Sequence, residues 1–262
     1  KRYEEHHHSS EICVTMSDNV RQMERVYAIP PDAQHFHLFN TDEDLKTHSS
    51  YTAAKGGDPN AALELIEDLA FDFLYGLRRE FPEGAIFVSP FAREASGDNA
   101  LPLILSLMAA EIFNGESETD IVQLQRVFHT GADPMERLRL RPSFEGAVKS
   151  GAHYVLVDDV TSMGGTLAEL ANYLLLHGGQ VLGTLVLANA GRSKDFRPAK
   201  QHIRLLQERF GDEIRQIFGI HTSALTANEA GYLVGFRTVD EIRNRCLKAE
   251  KETHLRLLSK GY

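Results

Sequence analysis

The sequence predicts an α/β protein built on a mostly parallel sheet, and three observations lead there. Short apolar runs bounded by turn residues recur at Ala85–Val88, Tyr154–Val157 and Val181–Ala188. Between the last two, Leu167, Leu170, Ala171, Leu174 and Leu175 repeat at helical spacing and end at Gly178-Gly179, a helix stop. Strand, helix, strand in that rhythm implies a right-handed parallel crossover, with helices laid on the faces of the sheet.

Taken in order, residues 1–50 show little periodicity and read as short strands or irregular covering structure, with an aromatic cluster at Phe36, Leu38 and Phe39. His35, His37 and His48 read as surface or interface residues before they read as ligands, and His6-His7-His8 as a tail or tag remnant. Asp58-Pro59 supplies an N-cap and a first-turn proline for a long helix over about 59–81. Its apolar face is expected at Leu63, Ile66, Ala70, Phe73, Leu74 and Leu77. The preceding Ala54-Lys55-Gly56-Gly57 lacks a strand before it and a Gly-Lys-Ser/Thr ending, so it reads as a helix approach and not as a phosphate loop. After the first core strand at 85–88, a helix is expected through Leu101 to Ile112, a polar loop over Asn114–Asp120, and a second core strand over Ile121–Phe128. A helix through Ile203, Leu206 and Phe210 and a fifth strand over Ile214–Ile220 complete the core. Thr226-Ala227-Asn228-Glu229 forms a capping box, and a last helix runs from about Val239 to Leu258. The implied organisation is an N-terminal extension over 1–80, a core over 81–221 and a C-terminal helical extension over 222–262.

Composition narrows the function classes. With 42% hydrophobic and 25% charged residues the chain is ordinary for a globular protein. A net charge of −9 argues against broad nucleic-acid binding. Cys13 and Cys246 suggest neither a disulfide framework nor a CxxC metal site, and no apolar run approaches a membrane span. A cytoplasmic protein with no membrane partner is the expectation.

The stretch richest in chemistry is His153–Thr166, H-Y-V-L-V-D-D-V-T-S-M-G-G-T. A buried strand would deliver Asp158 and Asp159 to its C-terminal lip, and a small-residue turn then opens a helix. Backbone amides at such a helix start, with the positive end of the helix dipole, favour a phosphate. Adjacent carboxylates suit sugar hydroxyls or a hydrated Mg²⁺. In this order of strand, acid pair, glycine turn and helix, the segment resembles the phosphoribosyl pyrophosphate (PRPP) motif of type I phosphoribosyltransferases. Thr161 stands where an aliphatic residue is common in that family, and Met163 where Thr, Ser or Ala is usual.

The resemblance implies a doubly wound, five-stranded sheet flanked by helices, and a transfer of the phosphoribosyl group to or from a nitrogenous base with pyrophosphate exchange. It implies that Asp158 and Asp159 hold the ribose hydroxyls and the Mg²⁺ environment. Thr161, Ser162, Met163, Gly164, Gly165 and Thr166 would hold the 5′-phosphate. Arg93, in the loop Ser89–Asp98 after the first core strand, would meet the pyrophosphate. A mobile loop at about 129–150 would close over it with Arg137, Arg139 and Arg141, which alternate as a basic strip. The expected partners are PRPP or a nucleotide monophosphate and a nucleobase or other nitrogen nucleophile, with a homodimer as the expected assembly. The rival reading is a non-catalytic PRPP- or nucleotide-sensing regulator or effector subunit on the same fold, favoured by Met163. A nucleotide-consuming enzyme of a defence or stress module is the third.

Overall fold

A computed structural model describes residues 22–90, 99–124 and 133–259, with side chains to residue 255. Its strands are β1 (Gln34–Phe39), β2 (Ile86–Val88), β3 (Glu116–Glu118), β4 (Val122–Gln123), β5 (Phe144–Glu145), β6 (His153–Thr161) and β7 (Gln180–Asn189). The helices are α1 (Glu43–Lys46), α2 (Tyr51–Lys55), α3 (Pro59–Gly76), α4 (Leu101–Ile112), α5 (Pro134–Arg139), α6 (Gly165–Leu176), α7 (Lys200–Phe210), α8 (Glu213–Phe218), α9 (Ala227–Leu233) and α10 (Val239–Ser259). Among the described residues, no helix is long and apolar enough to cross a membrane.

Five strands form one sheet in the order β1-β7-β6-β2-β3, and every pairing is parallel. Strand alternation then sorts the core into two layers. Phe87, Val155, Val157, Leu185 and Leu187 point to the face covered by α3 and α4. Ile86, Val88, Tyr154, Leu156 and Val186 point to the other, covered by α6. From β2 the chain moves outward to β3, and from β6 it moves outward to β7. The crevice between the ends of β2 and β6 is therefore a topological switch point, where open α/β sheets bind ligands. β7 passes β1 closely enough that a Cβ at Gly183 would lie 2.2 Å from the Gln34 carbonyl oxygen, so only glycine fits there.

A third core lies outside the sheet. Met135 and Leu138 of α5 pack with Leu206, Phe210, Ile214, Phe218, Leu233, Ile242 and Cys246. Four charged side chains join this unit to the sheet. Arg25, fully buried, contacts Glu229 of α9 at 2.6 Å and Glu169 of α6 at 3.4 Å. Arg141, also buried, contacts Glu169 at 2.8 Å. The Arg25 backbone bridges Gly219 and His221, while Asn172 of α6 accepts the Val26 and Tyr27 amides and donates to the Glu24 carbonyl. Burial pushes the Glu169 carboxyl upward more strongly than the two arginines lower it.

Several expectations change. The fifth sheet strand is β1, from the segment read as short strands or irregular covering structure; Ile214–Ile220 instead contains α8, whose Ile214 and Phe218 turn one helical face into the third core. The strand beside β2 is β3, from the stretch read as a polar loop, whereas Val122-Gln123 pairs antiparallel with Phe144-Glu145. Residues 125–132 lie outside the described residues. The long helix keeps its Asp58 cap, which accepts the Asn60 and Ala61 amides, but ends at Gly76. Its buried face runs through Leu65, Ile66, Ala70 and Leu74, leaving Leu63 exposed. The capping box at Thr226 and Glu229 forms as expected.

Removing one member of a buried, hydrogen-bonded ion cluster strands the others. Arg25→Met is expected to destabilise the fold by about 3–5 kcal/mol. Combining it with Glu229→Leu should cost less than the sum of the single changes, measured by urea unfolding.

Candidate functional site

The site begins at the C-terminal lip of β6, beside the crevice between β2 and β6. Asp158 is half-buried there and Asp159 is almost fully enclosed. Both oxygens of Asp159 are engaged: Oδ2 accepts Asn99 Nδ2 at 2.9 Å and meets Lys55 Nζ at 2.5 Å, and Oδ1 accepts the Val160 amide at 2.8 Å. Asp158 Oδ1 accepts the Asp159 amide at 2.9 Å. Two adjacent acids with one lysine cannot titrate alike. Burial raises Asp159, but the charge and hydrogen bond of Lys55, with Asn99 and the Val160 amide, bring it below the usual carboxylate range. Asp158 is driven well above that range by desolvation first and by repulsion from Asp159 second. The pair thus combines a carboxylate kept ionised by its partners with a neighbour whose ionisation burial and repulsion oppose.

Thr161 is buried at the end of β6, in register with Asn189 of β7. Beyond it, Ser162 to Thr166 stay half-exposed, and Gly164 turns the chain at φ +76°. A Cβ at Gly164 would sit 3.1 Å from the Phe196 ring, a second reason for glycine. No side chain caps α6, so its first-turn amides are open to an anion. Arg137 Nη1 donates to Ser162 Oγ at 3.2 Å and brings positive charge to the same turn. Thr226 Oγ1 donates to the Met163 carbonyl at 2.5 Å, tying the turn to α9. A small cleft opens between Ser162–Gly164 and a wall carrying Asp195, Phe196 and Asn228. The carboxylate of Asp195 disfavours an anion on its side, so an anion in this cleft belongs against the α6 turn and Arg137.

The three loop arginines do not form a strip. Residues 134–139 are helical, and side chains two apart on a helix point in different directions. Arg137 reaches Ser162, while Arg139 binds the Cys246 carbonyl and Glu250 of α10. Arg141 is buried on Glu169 and the Met23 carbonyl. Arg93 lies outside the described residues, as does the rest of 91–98. His35 bonds Thr184 Oγ1 and packs at a tilt against the Phe196 ring, and His48 meets Asp68. Phe218, Tyr232 and Phe236 lie in or against the third core.

Sequence reasoning missed Lys55 and Asn99. Both sit on polar, glycine-flanked or loop-like stretches, and nothing local marks either as the partner of an acid that lies 60 residues on from Asn99 and further still from Lys55. The donor set also bears on the expected magnesium. No three His, Cys, Asp or Glu side chains converge among the described residues, and both Asp159 oxygens already hold donors. The pair does not fit a divalent ion touching both carboxylates.

The chain is 35% identical over 214 residues to protein TraN of Escherichia coli, covering 79% of this chain and 48% of that protein. It is 31% identical over 134 residues to an uncharacterized protein of Haemophilus influenzae, covering 50% and 30% of the two chains. The chain thus spans about half, or less, of the curated relatives it matches. No protein-family profile matches it. Among solved structures it is similar to an adenine phosphoribosyltransferase from Leishmania donovani, at 14% identity and a TM-score of 0.36 over 77% of this chain and 88% of that one. A second is the adenine phosphoribosyltransferase from Rhodothermus marinus, at 19% identity and a TM-score of 0.34 over 50% and 73%. A third is a purine phosphoribosyltransferase from Pyrococcus horikoshii, at 13% identity and a TM-score of 0.30 over 58% and 87%. Likeness of this degree is too slight to assign an activity.

The elevated Asp158 carboxyl has a stability consequence with a definite sign. The folded state holds its proton at pH values where the unfolded chain has released it, so this group's contribution falls as pH rises above the ordinary carboxylate pKa, about 3.9. Asp158→Asn is therefore expected to raise the urea midpoint at pH 7 and to show no gain below about pH 3.5.

Proposed function

We propose that this protein binds PRPP at the end of β6 and transfers its phosphoribosyl group to a nitrogenous base, releasing pyrophosphate. The observation that carries the reading is the juxtaposition at one strand end of an acid pair and an uncapped helix start backed by Arg137. An acid pair alone suits many polar ligands. Beside a phosphate-favouring turn, it suits a sugar phosphate.

In this reading the amides of Ser162 to Thr166 and the Arg137 guanidinium hold the 5′-phosphate. Asp158, the less enclosed of the two, and Asp159 beside it hold the ribose hydroxyls. As the bond from C1 to the pyrophosphate oxygen breaks, its electron pair leaves with the pyrophosphate and positive charge develops on the ribose. Asp159, oriented by Lys55 and Asn99, holds that ring in place, and the incoming nitrogen closes the new bond at C1. Catalysis of this kind rests on positioning and fixed electrostatics. The Met163 position does not undo the turn, because Met163 contributes its backbone and its carbonyl is held by Thr226. Arg93 is proposed for the pyrophosphate on the strength of the family resemblance alone.

Calorimetric titration with PRPP, followed by pyrophosphate release with a panel of bases, tests the proposal. Wild type should bind and turn over, and Arg137→Ala, which removes a charge-assisted phosphate contact, should weaken binding roughly tenfold. Binding without turnover on any base would favour the sensing regulator instead. No PRPP binding, with Asp158→Asn indistinguishable from wild type, would overturn both readings.

A further inference from the structure

Lys55 is not a wandering surface lysine. It closes α2 directly after Ala54, which is fully buried in the core under α3 and α4. The Ala54 carbonyl accepts the Ala100 amide at 3.0 Å, fastening the end of α2 to the residue that follows Asn99. Asn99 in turn accepts the Leu101 amide through its Oδ1 and donates to Asp159 through its Nδ2. Lys55 and Asn99 are thus carried to the same carboxylate oxygen by one joined frame. The Lys55 side chain is one-third exposed where it arrives, and that of Asp159 is 5% exposed. A cation placed so firmly on a buried carboxylate does there what a bound ion would do.

We propose that Lys55 is the resident cation of the acid pair, holding at Asp159 the position at which a divalent ion would otherwise neutralise it. The inference takes from the proposed function only that the pair faces the ligand, and it concerns the chain before any ligand arrives. With the ammonium in place, Asp159 remains ionised and oriented, and Asp158 is left to meet a hydroxyl. A divalent ion approaching Asp159 meets a like charge and an oxygen that already has two donors. Asp158, whose Oδ1 already accepts the Asp159 amide, offers such an ion little by itself. With the ammonium removed, the two adjacent carboxylates become an ordinary oxygen site for a hard cation.

Mn²⁺ is the probe, titrated into the full chain without nucleotide and followed by loss of the free-ion electron paramagnetic resonance signal. Wild type is expected to take up no Mn²⁺ at the pair up to about 1 mM, the weak end for oxygen-ligand sites. Lys55→Gln should gain one ion at least about tenfold more tightly, and the double variant with Asp159→Asn should lose it again. Uptake by wild type that Asp159→Asn abolishes would overturn the proposal, as would a folded Lys55→Gln that gains nothing. Should Lys55→Gln fail to fold by circular dichroism, Lys55→Met is read by the same criteria; the wild-type and Asp159→Asn pair needs neither variant. PRPP binding is scored separately. A chain that binds no PRPP but gains Mn²⁺ on loss of Lys55 keeps this assignment and loses the transferase reading.

Discussion

Arg25 is the residue on which the arrangement around the cleft depends. A fully buried guanidinium is costly unless carboxylates meet it, and Glu169 and Glu229 do so from two elements far apart in sequence. The first lies in the opening turns of α6 and the second in the capping box of α9. Arg25 therefore ties the C-terminal helices to the start of α6 in a way that apolar packing does not, because a slip of either element would separate the guanidinium from one of its acids. The same contact governs the chemistry nearby. Thr226, whose amide is held by Glu229, also reaches the Met163 carbonyl, so the ion cluster supports the phosphate-favouring turn from beneath.

Above that support, opposite electrostatic demands are met within one strand end and one turn. The α6 start is open and favours an anion, helped by Arg137 from α5. A few residues upstream the chain carries two acids, which would repel the same anion if both were ionised and unpaired. Lys55 removes most of that conflict by neutralising Asp159, and the elevated Asp158 carboxyl removes more. A ligand with a phosphate at one end and hydroxyls beside it answers both halves.

Much of the fold was legible because local chemistry and tertiary position agreed. The apolar run of β6, the helical spacing of α6, the Asp58 cap and the Thr226 capping box each depend on neighbours within a few residues. Where they disagreed, the reading failed. Ile214–Ile220 holds enough apolar residues to pass for a strand, yet the third core takes them as a helical face. β3 is polar because it is an edge strand of three residues, so it reads as a loop until β2 lies beside it. Arg137, Arg139 and Arg141 alternate in a way that suggests a strip only in an extended chain. Wound as a helix and its exit, they go to the site, to α10 and to the interior.

The sequence by itself determined the α/β class, the parallel crossover through β6, α6 and β7, and the acid pair with its glycine turn. These are written in side-chain periodicity and in the backbone freedom of glycine at positive φ, which act over one or two turns of chain. Only the tertiary structure decided that Lys55 neutralises Asp159, that Arg137 alone of its trio meets the turn, and that Arg25 locks the C-terminal helices beneath it. Each of these is a charge meeting its partner from a separate element. Burial makes that pairing energetically necessary, but no local pattern says which partner it will be.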